Sequence, residues 1–380
     1  MAKLEEICAI NMGQSPDSST YNENGSGLPF FQGNADFGEI YPTIRVWCSE
    51  PTKIAREKDI LISVRAPIGA LNIANCECCI GRGLAALTVN EDICAQKYLW
   101  HMLSGKVDEL NSKGTGSTFK AINKKILAET EIPLPPLSTQ RHIAAVLDKV
   151  STLIAKRRQQ LDKLDELVKS RFVEMFGDPV QNPHGYKKVT LSELADIKIG
   201  PFGSLLHKED YIEGGHPLLN PSHIVNGKVE PDAKLTISDE KYNELEPYQL
   251  HAGDVVMGRR GEMGRCAVVP SEGFLCGTGS LLIRSRGEVT ADYIQKTISF
   301  PSFRKTIEDM AVGQTMPNLN VPIVSNFLII RPPIKIQKGY YAFVAQTDKA
   351  KLAIQKGLEK LETLKKALMQ EYFWGGEQDG

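Results

Sequence analysis

Residues 138–172 run for more than thirty positions without a glycine or a proline. Within them Leu147, Ile154, Leu161 and Val168 recur every seven residues, and Leu164 falls on the same side. Apolar positions at that spacing line one face of a helix, so the pattern predicts one long amphipathic helix over 139–178. Ser138 stands where a hydroxyl can accept the orphan N–H bonds of a first turn, and Gly177-Asp178-Pro179 reads as the end. A second stretch, 336–375, repeats the pattern with Ile354, Leu358, Leu361, Leu364 and Leu368, and holds Gly357 as an interior weak point. Roughly 34 helical residues extend some 50 Å. An apolar stripe of that length needs a partner, and each stretch offers one to the other. Two antiparallel helices forming a coiled-coil spacer are therefore expected.

The remaining chain has a different texture. Residues 1–138 and 185–335 carry short apolar runs such as "DILISV", "LAALTV", "DVVMG", "CAVV" and "SLLIR", punctuated by Gly, Pro and Asn. Runs of that length between turn formers predict strands in a mixed α/β (α+β) domain. The two regions are copies of each other. "IPLPPLSTQ" at 132–140 answers "IIRPPIKIQ" at 329–337, and "GSTFKAI" (116–122) answers "GQTMPNL" (313–319). "DILISVRAPIG" (59–69) answers "DVVMGRRGEMG" (254–264), pairing Asp59 with Asp254, Arg65 with Arg260 and Gly69 with Gly264. "IGRGLAAL" (80–87) faces "CGTGSLLI" (276–283), and "LEEICAINMG" (4–13) faces "LSELADIKIG" (191–200). Residues 14–58 and 201–253 differ in length, so each copy has one divergent segment. The expected architecture is two pseudo-repeated globular domains, each handing over at a Pro-Pro pair to its half of a helical spacer. A residue before proline is pushed out of the helical region, which separates domain from rod.

Composition narrows the class only slightly. The chain has 380 residues, 42% hydrophobic and 24% charged, as in ordinary globular domains. No apolar run reaches the roughly 18 residues of a membrane span, and "MAKLEEICAI" carries no signal-peptide pattern. Five of the eight cysteines lie in residues 48–94, which fits a reducing cytoplasm better than a disulfide framework. A formal charge of −1 gives no global pull toward nucleic acid, so any DNA binding must come from local patches.

The order of parts resembles a known family. Two variable α/β domains, each followed by P-P-x-x-x-Q and a long helix, with "SRFVEMFGDPVQNPHGY" after the first, look like the specificity subunit of type I restriction-modification systems. The resemblance covers essentially the whole chain and rests also on "GSTFKAI" and "IPLPPLSTQRHIAAVLDKV". It implies that each variable domain, 1–138 and 185–335, is a target-recognition domain reading one half of a bipartite double-stranded DNA sequence. It implies further that the helices set the spacing and dock two modification subunits, which use S-adenosylmethionine to methylate adenine. Restriction subunits, using ATP with Mg, would complete the complex. This chain would itself be non-catalytic and hold no cofactor. Because the copies have diverged, an asymmetric target is expected, and a spacer of some 50 Å can bridge the 34–36 Å (about one helical turn) between successive major-groove faces.

Arg matches guanine edges, and Asn and Gln match adenine. The candidates in the first domain are Gln32, Asn34, Arg65 and Arg82. In the second they are Asn220, Ser222, His223, Arg259, Arg260 and Arg265. Flanking glycines would let backbone approach phosphates. Lys113, Ser117, Thr118 and Lys120, with Gln314 and Thr315 in the other copy, suit phosphate contacts. The plain alternative for any one of them is a solvated or ion-paired surface residue, and Arg65 and Arg260 stand out because they are equivalent. Residues 139–172 hold eight Lys or Arg against four Asp or Glu, including Lys156, Arg157 and Arg158. That excess reads first as the wet face of the spacer and second as an attraction for phosphates or acidic helices.

Other chemistry is not signalled. "CECC" (76–79) with Cys48 and Cys94 has no histidine before His101 to complete a ligand set, so buried strand thiols are expected in place of zinc ligands. Asn220-Pro221 is followed by Ser222-His223, which breaks the Asn-Pro-Pro-aromatic pattern of an amino-methyltransferase, and no phosphate-binding G-x-x-x-x-G-K-S/T loop occurs. "PDAK" (231–234) is too short to signal a nuclease, and His142 has no nucleophile in a readable relation to it. Two rival classes remain open: a scaffold gripping proteins or small ligands, and an enzyme with a dispersed site.

Overall fold

The computed structural model describes residues 1–116, 120–262, 264–311 and 318–375. The chain divides into two compact units, Met1–Gln160 with Ile354–Gly380, and Leu161–Ala353. Both units use the same architecture. In the first, a four-stranded sheet runs in the order Cys8–Met12, Leu84–Val89, Ile60–Ser63, Leu71–Ile73. Its counterpart in the second is Ala195–Ile199, Ser280–Ser285, Val255–Gly258, Cys266–Val268. A second, five-stranded sheet also matches. Leu28–Phe31 pairs in parallel with Cys78–Ile80 in one unit, and His216–Leu219 with Phe274–Cys276 in the other. A two-stranded pairing ties the start of each domain to its end, Ala2–Lys3 with Glu131–Ile132 and Lys188–Thr190 with Leu328–Ile330.

The central strands Ile60–Ser63 and Val255–Gly258 are buried at every position, as their unbroken apolar runs require. Asp59 and Asp254 sit just before them with equal roles. Asp59 Oδ2 accepts from the N–H of Arg56 and Asp254 Oδ2 from that of His251, each at 2.8 Å. Both are more than nine-tenths buried, so each closes the turn that feeds the central strand. In the second unit Arg284 adds a two-pronged ion pair to Asp254, at 2.7 and 2.9 Å.

The long helices are α1, Leu137–Phe176, and α2, Ile334–Trp374. Helix α1 begins right after Pro135-Pro136, so Ser138 lies in its first turn and is not the cap; Gly177, at φ 73°, ends it. Each unit contains antiparallel parts of both helices. In the first, Ile143 and Leu147 share a core with Phe373, whereas Arg158 pairs with Glu362 at 2.7 Å. In the second, Phe172 and Phe176 pack edge-on against Tyr340, whereas Asp165 pairs with Lys351 at 2.5 Å. One heptad position departs from the expected stripe. Leu364 is 46% exposed while Lys365 is half-buried. The register turns Lys365 toward Arg158 and Asp148, and its burial holds its ammonium below the ordinary lysine range.

The Pro-Pro-x-x-x-Gln phrase has a structural cause. Gln140 is fully buried and makes three bonds. It accepts from the N–H of Ala95 (2.8 Å) and donates to the carbonyls of Pro135 (2.8 Å) and Ile93 (3.1 Å). Gln337 repeats this with Thr290 N–H (2.9 Å), Pro332 (2.8 Å) and Glu288 (3.3 Å). Each glutamine thus satisfies a helix start and a loop of its own domain at once, where water cannot reach. Two prolines free the carbonyl side, and the glutamine one turn later fastens the helix to the domain.

All eight cysteines are free, and seven are buried. Burial pushes the thiols of Cys8, Cys78 and Cys94 up to about 12, which suppresses the thiolate a metal would need. Among the described residues there is no group of three or more His, Cys, Asp or Glu able to hold a metal ion. Nor is any described helix long and apolar enough to cross a membrane.

Candidate nucleic-acid interface

In each unit an inner strand of the five-stranded sheet passes to an inner strand of the four-stranded one through a glycine turn, Gly81-Arg82-Gly83 or Gly277-Thr278-Gly279. The turns are held by equivalent backbone bonds. Gly81 N–H donates to Phe31 O and Gly277 N–H to Leu219 O, at 2.8 and 3.1 Å. Val64 N–H donates to Gly83 O, and Arg259 N–H to Gly279 O, at 2.9 and 3.0 Å. A third pair follows: Ile122 N–H to Val64 O and Leu319 N–H to Arg259 O, both at 2.9 Å. These bonds make Phe31, Val64, Gly81, Gly83 and Ile122 the structural equivalents of Leu219, Arg259, Gly277, Gly279 and Leu319. Arg65 and Arg260 follow as equivalents one residue on.

Glycine is required at the centre of this arrangement. A Cβ on Gly13 would lie 2.2 Å from the Gly81 carbonyl oxygen, and one on Gly200 would lie 2.1 Å from that of Gly277. At Gly83 it would meet Gln32 O at 2.5 Å, and at Gly277 it would meet Asn220 Oδ1 at 2.2 Å. No side chain fits between these backbones. The residues that follow each glycine contact are therefore carried outward on rigid supports, an arrangement suited to presenting polar groups to a ligand.

The first unit gathers Gln32, Arg65, Arg82 and Lys120 around its turn, all exposed. Gly83 N–H donates to Gln32 O, Val64 beside Arg65 donates to Gly83 O, and Ala66 N–H donates to Lys120 O at 3.2 Å. Asn34, half-buried, opens the short turn after Gln32. None of these five side chains has an ion pair or side-chain hydrogen bond among the described residues. Lys113 is different, because Glu109 holds it at 2.6 Å and also holds Lys106. Three cationic groups and a glutamine on one rim, with no acidic partner, are the local patch that the neutral overall charge requires.

The second unit presents Asn220, Ser222 and Arg260 in the same places, with no side-chain bonds among the described residues. Three candidates named from the sequence serve the fold instead. His223 is 6% exposed, with Nδ1 2.8 Å from Leu218 O, so it braces the turn and is not offered to a ligand. Arg265 is held by Glu262 at 2.8 Å and donates to Pro221 O at 3.2 Å. Glu262 also pairs with Arg304 at 2.6 Å, beside a cleft of about 440 Å³. Arg259 donates from Nε to Leu319 O at 2.9 Å, and burial, with Arg260 beside it, lowers its affinity for its proton. A short Arg-rich run gave no sign of which arginine is spent on structure. Ser117, Thr118, Gln314 and Thr315 lie outside the described residues.

The structure also adds residues. Ser15 accepts from the Arg82 N–H at 3.3 Å, which brings residues 14–16 to the rim of the first turn. Nothing in the local sequence marks Ser15, since it meets the turn only at Arg82, 67 residues further on. On α1, Arg158 is paired with Glu362 and Arg157 with Gln160 (3.0 Å), which suits the reading of a solvated face.

Comparison with known proteins bears on the whole chain. Residues 1–166 and 183–365 match the family model described as type I restriction modification DNA specificity domain. A candidate MjaX type I restriction enzyme specificity subunit of Methanocaldococcus jannaschii is 43% identical over 165 residues, which cover 43% of this chain but only 39% of that one. The MjaIX specificity subunit of the same organism is 23% identical over 98% of this chain and 92% of its own. The crystal structure of a type I restriction-modification S subunit from M. genitalium has the same fold, with a TM-score of 0.60 over 98% and 95% of the two chains at 15% identity.

Proposed function

The chain belongs to the type I restriction-modification DNA specificity family, as a non-catalytic specificity subunit, and on that premise we propose how it divides the work of recognition. Each globular domain reads one half of an asymmetric two-part DNA target, using the rim around its glycine turn. The observation that carries this is the pair of equivalent turns bearing unequal side chains, all exposed but the half-buried Asn220. Gln32, Arg65 and Arg82 surround one, and Asn220, Ser222 and Arg260 surround the other. Equal supports position the readers alike, and unequal readers give unlike half-sites. Lys120, with Lys113 in part, would contact phosphate, which fixes register without reading sequence.

The long helices would set the distance between the half-sites and dock two modification subunits. Each spans about 60 Å at 1.5 Å per residue, more than one turn of DNA. S-adenosylmethionine would then belong to the modification subunits, and ATP with Mg to restriction subunits. No step of either chemistry is asked of this chain. Setting and work are those of a cytoplasmic DNA-binding protein.

Methylation sequencing of a host genome carrying the chain with its modification subunit tests the proposal. A new adenine-methylated motif of two defined halves around a fixed run of unspecified bases is expected. Absence of any new methylation, with both proteins soluble and co-purifying, would return the chain to the protein-scaffold class.

A further inference from the structure

The cleft of about 440 Å³ in the second unit lies between the hairpin Ile224–Val229, the segment around Arg265, and the helices Ala291–Ile298 and Pro301–Ala311. The hairpin tip closes one side, since a Cβ on Gly227 would lie 3.0 Å from Gln295 Nε2. Arg265, Lys296 and Arg304 line the cleft with one carboxylate, Glu262, so three positive charges less one negative leave a surplus of two. Glu262 is spent on fixing both guanidinium groups, Arg265 at 2.8 Å and Arg304 at 2.6 Å. Arg304 binds it through Nη1 alone, which leaves Nη2 and the buried Nε without a hydrogen-bond partner among the described residues. Lys296 is half-buried and has no ion pair among the described residues. Burial, with Lys169 and Lys351 nearby, holds its ammonium below the ordinary lysine range. Cations placed so, partly out of water and short of acidic partners, are relieved by an anion.

The fold does not need this charge, because the first unit does without it. Pro67 and Ala70 stand in the places of Glu262 and Arg265, as the matching strand registers Ile62–Leu71 and Met257–Cys266 require. Gly69 faces Val107 where its counterpart Gly264 faces Arg304. His101 takes the place of Lys296 and is bonded to Asp148 at 2.8 Å. The cleft also adjoins the rim of the candidate interface. Arg265 Nη1 donates to Pro221 O at 3.2 Å, and Arg265 O accepts from Gly258 N–H at 2.9 Å. Pro221 stands between Asn220 and Ser222, and its ring lies 3.0 Å from where a Cβ on Gly279 of the turn would sit.

We propose that this cleft takes one phosphate of the DNA backbone at the flank of the second unit's half-site, held by Arg304 and Lys296. This deepens the proposed function and rests on it. A phosphate oxygen accepts strongly from charged donors, and a guanidinium fork with an ammonium beside it supplies them. Glu262 holds the Arg304 fork in place before the ligand arrives, which lowers the ordering cost of binding. The contact fixes register without reading sequence, and only one of the two domains has it.

The test uses the full chain with its modification subunits, bound to duplexes carrying the methylated motif. Neutral methylphosphonate linkages replace the phosphates of the motif and its flanks one at a time. At one linkage beside one half-site the wild type should bind about tenfold more weakly, the loss of a charge-assisted contact. Arg304→Val, which copies the first unit, should weaken binding to the parent duplex by a similar factor and be indifferent to that linkage. Lys296→Gln should behave alike, and it carries the test should the first variant fail to fold. Each should also flatten the dependence of log affinity on log salt by about one, whatever the bases of the half-site. Unchanged responses to the other linkages would show that a variant is folded. If both variants keep the wild-type linkage profile and salt slope, the inference is wrong. Inorganic phosphate is also titrated by calorimetry into the complex without DNA. Binding there that Arg304→Val abolishes, with every neutral linkage tolerated alike by both proteins, would assign the cleft to a free phosphate compound and overturn the DNA contact. Failure of the wild type to prefer its motif at all would instead sink the underlying reading of DNA recognition.

Discussion

The two glycine turns carry the same backbone bonds and different side chains. Arg65 and Arg260 match, but Arg82 faces Thr278 and Gln32 faces Asn220. What the copies share is what the fold needs: the buried aspartates 59 and 254, the glycines that admit backbone contact, and the glutamines 140 and 337. Of what they do not share, Gln32, Arg82 and Thr278 are exposed and Asn220 is half-buried. A second difference sits in the divergent segment, where the second unit adds the hairpin Ile224–Val229, turned by Asn226 and Gly227 at φ 51° and 76°. Duplication followed by divergence at exposed, rigidly supported positions is a direct route to two readers of different sequence.

Breaking the shared part should harm both units alike. Replacing Gln140 with Leu removes three buried hydrogen bonds and leaves the Ala95 N–H without a partner, at a cost of about 3 kcal/mol. Gln337→Leu should cost the same in the other unit. Urea denaturation read by a probe in each unit should show each change lowering its own unit's transition, and equal effects on both units from one substitution would contradict the separate clamps.

Breaking the exposed part should separate them. Arg65→Ala and Arg260→Ala should each weaken binding by roughly 1–3 kcal/mol and relax base preference in opposite halves of the motif. Competition binding against single-base variants of the methylated motif measures this. Relaxation of the same half by both would defeat the division of labour.

The smallest effect concerns pH. His101 is buried, with Nε2 2.8 Å from Asp148 Oδ1, Lys97 on the other oxygen, and Lys365 nearby. Burial is the largest influence and lowers the proton affinity of the ring despite Asp148. The unfolded chain takes up a proton near pH 6.5, so it binds more protons than the folded one just below that value. The first unit should therefore lose stability as pH falls below about 6.5 toward the lower folded value. The second unit has Lys296 at this position and lacks this contribution. Urea midpoints at pH 7 and pH 5.5 should show the difference, and His101→Gln should abolish it; an unchanged drop in the variant would assign it to other groups.

Much of the molecule can be read along the chain because its signals are local or repeated. Heptads of apolar residues, glycine-free length and Pro-Pro punctuation mark the helices, and the repetition of Asp59, Gly69 and the "PP" phrases marks the duplication. Side-chain commitments are another matter. His223, Arg259 and Arg265 sit in loops that look like binding loops, yet each is used to hold a turn, because its partner comes from Leu218, Leu319 or Glu262 only after folding. Lys365 in place of Leu364 on the inner face is a matter of helix register, which a periodic pattern does not fix to one residue.

The sequence by itself determined that there are two like domains, two long helices and a family. Only the tertiary structure decided which exposed residues share a rim. Gln32, Arg65, Arg82 and Ser15 lie up to 67 residues apart, and Asn220 and Arg260 lie 40 apart (260 − 220). Strand pairing and side-chain-free glycine contacts bring them together, and neither is encoded in the neighbourhood of any one of them.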